Sequence, residues 1–146
     1  MSPARVASRA IAAFLVGGGF FLTYRALTLI AEGQTAQYVT WLAALTYGEA
    51  TLAAVTTLAA LTWLVRGAAW ASATLRLTAA LVVLHAARVA TFVLARTGPA
   101  FDFDRKAEFR PLDPDTWTWA EVWFAGGFAA LSLVVLVVVW RWRRQP

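Results

Sequence analysis

Four stretches of this chain stay apolar for about twenty residues or more, and short polar blocks separate them. They cover residues 10–31, 38–65, 68–96 and 117–142. A helix rises about 1.5 Å per residue and the hydrocarbon slab of a bilayer is about 30 Å thick, so each run is long enough to cross it. The pattern predicts an all-α membrane protein, an antiparallel bundle of four transmembrane helices forming one domain over residues 1–146. The longest polar block, residues 97–116, is the 20-residue loop between the third and fourth helices.

The first run follows a basic head containing Arg5 and Arg9. That head is like the start of a signal peptide, but a secretory apolar core is only about 7–15 residues long. The run is therefore expected to stay in place as a first helix. Gly17, Gly18 and Gly19 fall in its inner half, where missing side chains let another helix approach. Tyr38 and Trp41 open the second run, and Trp63 and Trp70 flank the turn at Arg66 and Gly67 as expected interfacial anchors. The loop carries three prolines and Phe101, Phe103 and Phe109 among mixed charges, so it is expected to fold back over the bundle mouth. Trp117, Trp119 and Trp123 begin the last run and Trp140 and Trp142 end it. Those two clusters are about 30 Å apart along a helix, one slab thickness.

Composition narrows the chemistry. Sixty per cent of the residues are hydrophobic and mean hydropathy is +0.62, well above the roughly 45–50% of a soluble domain. With no cysteine there is no disulfide framework, thiolate metal site or cysteine nucleophile. One His and one Met leave too few imidazole and thioether ligands for a haem or copper site. No cofactor and no metal are expected. The pI near 10.7 would suit nucleic acid, but the charge lies beside apolar runs and is a topology signal instead. The head, the Arg66 turn with Arg76, and the tail together carry seven Arg and no acid. The other side carries seven acids against four basic residues. The positive-inside rule then predicts a multi-pass protein of the plasma (inner) membrane with both termini cytoplasmic.

A few polar residues lie within the runs. Counting inward from the outer ends puts Glu49 and His85 roughly 16 Å deep, and Arg25 and Arg88 roughly 10–12 Å deep. His85 and Arg88 are three apart and share one helix face. An ionisable group at such depth costs about 2.5–3.5 kcal/mol on insertion scales, so it needs a partner or a water-filled cavity. Antiparallel neighbours let Glu49 meet His85 or Arg88. Tyr24 and Tyr47, with Thr28 and Thr46, lie at compatible depths and are candidates to complete the network.

The run L-H-A-A-R-V-A-T-F at residues 84–92, then F-D-F-D, D-T-W-T-W and a last apolar run ending W-R-W-R-R, resembles a group of uncharacterised small four-span actinobacterial membrane proteins. The likeness covers about the second half of the chain and implies location and topology only. The first half also resembles the four-helix DoxX-like proteins, without a shared motif.

Three functions are compatible with these features. The first is a non-enzymatic accessory or partner subunit in the plasma membrane, whose partners are the lipid bilayer and another membrane protein or a second copy of itself. The second is a binder of an anionic lipid or quinone-like ligand through an outer-leaflet pocket of Arg25, Glu49, His85 and Arg88 with Tyr24 and Tyr47. The third is a membrane enzyme using Glu49 and His85 as an acid–base pair. No H-E-x-x-H, P-loop or G-x-S-x-G pattern is present to favour the third.

Overall fold

The computed structural model describes residues 3–36, 40–97 and 119–144. They form four α-helices, α1 (Pro3–Ala31), α2 (Thr40–Arg66), α3 (Ala71–Thr97) and α4 (Trp119–Arg144), and among the described residues there is no strand. Three helical segments, Pro3–Ala31, Thr40–Arg66 and Ala68–Arg88, are long and apolar enough to cross a membrane. The loop after α3, with Trp117, and Tyr38 before α2 lie outside the described residues.

The first helix begins at Pro3, not at residue 10, so Arg5 and Arg9 are helical. Proline suits a first helical turn because its φ is already set and its missing N–H is one that the turn leaves unbonded anyway. The Ala- and Arg-rich head that follows has high helix propensity, so the helix extends beyond the apolar run.

Two turns set the antiparallel order. At Gly33 the chain enters the left-handed region, φ +71°, and Ala36 N–H donates to Gly33 O at 3.1 Å. At Gly67 φ is +98°. Its N–H closes α2 on Trp63 O at 2.9 Å, and a 3₁₀ turn at Ala68–Trp70 leads into α3. Only glycine adopts these angles without strain between Cβ and the backbone.

The buried positions recur with one spacing in three helices. They are Ala12, Leu15, Gly19, Leu22, Ala26 and Leu29 on α1. On α2 the same alternation of three and four runs through Leu42, Thr46, Glu49, Ala53, Thr56, Ala60 and Trp63. On α3 it runs through Ala71, Thr74, Thr78, Leu81, His85 and Arg88. A mean spacing of 3.5 is the seam that left-handed supercoiled helices present to one another. Apolar residues surround each helix, so the seam is marked by small and polar residues and not by hydrophobicity.

α1 packs on α2, α2 on α3 and α3 on α4, while α1 touches α4 more sparsely. Near the arginine-rich end, Ala12 and Leu15 meet Ala60, Trp63, Ala71 and Leu75, with Val135, Leu136 and Val139 of α4 against them. Further along, Leu22, Ala53 and Leu81 form a second cluster. Trp63, expected at an interface, is instead 5% exposed and donates through Nε1 to Ser8 Oγ at 3.1 Å. It occupies the seam three residues after Ala60, so burying its ring requires a polar acceptor for the indole N–H, which Ser8 supplies. Trp41, Trp70 and Trp140 are exposed on the outside of the bundle.

Candidate functional site

Glu49 on α2 and His85 on α3 face each other because both occupy seam positions of adjacent antiparallel helices. His85 Nδ1 lies 2.7 Å from Glu49 Oε1. Glu49 is 4% exposed, His85 1% and Arg88 4%. Arg88 is one turn beyond His85 on the same face of α3. Arg25, on α1, is half-buried, and neither arginine lacks a partner.

The threonine hydroxyls around the pair are committed to their own helices. Thr46 Oγ1, one turn before Glu49, donates to Leu42 O at 3.0 Å. Thr56 and Thr78 donate in the same way to Leu52 O and Thr74 O. Each hydroxyl has a single hydrogen, so Thr46 is not a donor to the Glu49 carboxylate. The charged groups near that carboxylate are therefore the ones that set its energetics.

Tyr24 and Tyr47 are not brought into this interior. Tyr24 is 62% exposed and Tyr47 is 51% exposed. Depth along a helix fixes height but not direction. At about 100° per residue, Tyr47 points about 200° away from Glu49, and Tyr24 stands in the same relation to buried Leu22 and Ala26. The Tyr47 hydroxyl lies instead 3.4 Å from Thr35 Oγ1, beside the α1–α2 turn. Thr28 is half-buried and donates to Tyr24 O at 2.8 Å.

Several buried polar residues escaped the sequence reading, among them Thr56, Thr74, Thr78 and Ser132. Ser132 on α4 is 0% exposed, and its hydroxyl has no partner among the described residues. The available signal was a lone hydroxyl in a Leu- and Val-rich run, L-S-L-V-V-L. Among the described residues there is no group of three His, Asp or Glu side chains placed to hold a metal ion.

The arrangement puts a carboxyl group and an imidazole in direct contact between α2 and α3. Enclosure of all three ionisable side chains restricts what can reach them. Among the described residues the protein is thus all-α, with three helices fit to span a membrane and a Glu–His contact enclosed between two of them. Compared with protein-family models, with curated proteins and with solved structures, it matches none.

Proposed function

We propose that this chain is a non-enzymatic accessory subunit of the plasma membrane, crossing it four times with α4 as the fourth span and both termini cytoplasmic. In this reading Glu49, His85 and Arg88 lock α2 against α3 and do not meet a substrate. The observation that carries it is that all three occupy seam positions and are under 5% exposed. Polar side chains in such a seam select register and partner helix, because every shifted pairing leaves a charge facing hydrocarbon. A substrate site would need at least one of them to open onto a cavity or the surface.

The outside of the bundle supports a role through contact with other chains. On α2, Ala44, Gly48 and Thr51 are exposed, and a Cβ added at Gly48 would meet nothing within 4 Å. Small residues at such positions let a second transmembrane helix approach closely.

Purification of the tagged protein from native membranes in a mild detergent tests this directly. The expected result is a membrane protein recovered in fixed ratio with the chain. Recovery of the chain alone with a stoichiometric quinone or anionic lipid, lost in Glu49→Gln or Arg88→Met variants that still fold, would replace the accessory role with ligand binding.

A further inference from the structure

At the arginine-rich end of the bundle, the start of α1 and the end of α2 enclose a groove of about 550 Å³. Arg5, Arg9 and Arg66 line it, with Ser8 and Trp63 between them. Arg5 and Arg9 are one helical turn apart and so project from the same face of α1. Arg66 is brought opposite them as the last residue of α2, immediately before the Gly67 turn. Two of the lining residues tie the helices together there, Trp63 Nε1 donating to Ser8 Oγ at 3.1 Å. Because Ser8 accepts that bond through its oxygen, its own hydroxyl hydrogen remains available to a ligand.

Arg5, Arg9 and Arg66 are all exposed, and three guanidinium groups around one groove give it a positive potential that favours an anion. The sequence has no acid before Glu32 and none between Glu49 and Asp102, and none of the described residues lining the groove is acidic. The counter-charge must therefore come from outside this part of the chain. A second groove, of about 330 Å³, shares Val65 and Arg66 with the first and continues over Leu61, Thr62 and Trp70 on the outer side of α2. It pairs an apolar trough with an exposed aromatic ring, the residue type that sits at headgroup level.

We propose that the paired grooves bind an anionic phospholipid, with its phosphate held by Arg5, Arg9, Arg66 and the Ser8 hydroxyl and an acyl chain laid along Leu61 and Val65. Arginine suits this ligand because its planar fork of donors matches two phosphate oxygens at once. The volume of the first groove falls within the roughly 300–1,000 Å³ usual for small-molecule sites. Basic pockets between transmembrane helices are a recurring solution for anionic headgroups. The site is at the end of the bundle where α1 begins and α2 ends, and it is independent of the accessory role.

Native mass spectrometry of the full chain, released from nanodiscs of equal phosphatidylglycerol and phosphatidylcholine, tests the site. Phosphatidylglycerol should be retained in preference to phosphatidylcholine as one adduct per chain. Each arginine near the headgroup is worth roughly fivefold, so Arg5→Gln/Arg9→Gln/Arg66→Gln together should lower that preference about a hundredfold. Arg66→Gln alone provides a milder variant whose folding is checked by its thermal transition. Arg76, exposed on α3 and not part of the groove, is the control, and Arg76→Gln should retain the adduct. Inorganic phosphate at millimolar concentration should compete weakly, because it lacks the chain that fills the trough. Equal retention of both lipids would overturn the proposal, as would equal loss in Arg76→Gln. Complete displacement by phosphate would show that the site takes the free anion and not the lipid.

Discussion

At the residue scale the energetics turn on Glu49. A carboxylate enclosed between two helices, 2.7 Å from an imidazole nitrogen and with Arg88 one turn beyond, is tolerable only while those neighbours remain. Removing one member of a buried ionic contact typically costs about 3–5 kcal/mol, whereas replacing both with apolar groups of similar volume is often close to neutral. Glu49→Gln and His85→Leu are therefore each expected to destabilise the detergent-solubilised protein strongly, since each leaves the other side chain enclosed without its partner. The Glu49→Leu/His85→Leu double variant should fall short of the sum of its single changes by about 0.5–3 kcal/mol. Additive effects in the unfolding equilibrium would mean that the two side chains do not share surroundings. Arg25→Met should matter less than Arg88→Met, because Arg25 is only half-buried and its long stem can carry the charge outward. That Glu49 and His85 stand at the same level was legible in the sequence by counting residues. The outward direction of Tyr24 and Tyr47 was not, since nearly every face of these helices is apolar and no amphipathic signal tells one face from another.

At the element scale, α1 and α2 approach closely at Gly19. A Cβ built on Gly19 would stand 2.5 Å from Thr57 Oγ1, and that hydroxyl is held by its bond to Ala53 O at 2.8 Å. Gly17, two residues away, would meet nothing within 4 Å. Gly19→Ala should destabilise the helix pair by about 1–3 kcal/mol. Gly17→Ala should be neutral or stabilising by up to about 1 kcal/mol, through helix propensity. Adding Thr57→Ala to Gly19→Ala should recover most of the loss, as read from thermal unfolding. Failure of that rescue would mean that Gly19 serves something other than close packing. The glycine triplet announced a close approach, but which of the three faces α2 depends on the seam. That seam repeats every seven residues through Ala12, Gly19 and Ala26, and small residues at those places are invisible to a hydropathy pattern. Trp63 shows the same limit. Tryptophan beside a charged turn reads as an interfacial anchor, and only its register with Ala60 and Thr56 reveals that it is buried on Ser8.

At the scale of the whole molecule, the four helices were legible from length and apolarity alone, because nothing but a helix or a closed barrel satisfies its backbone in hydrocarbon. The start of α1 was not, since a basic helical turn outside the slab leaves no mark in hydropathy. The proposed orientation rests on charge. Seven Arg without an acid gather at one end, and Arg5, Arg9 and Arg66 converge there on one groove. The account requires that end to be cytoplasmic and α4 to cross the membrane. Cysteine is absent from the chain, so single cysteines report position without background. In intact cells, Ala107→Cys should react with a membrane-impermeant maleimide, and Ser2→Cys and Gln145→Cys should react only after the cells are broken. Labelling of Gln145→Cys from outside would leave three spans, and labelling of Ala107→Cys only after lysis would invert the bundle; either result would contradict the four-span topology on which the account rests.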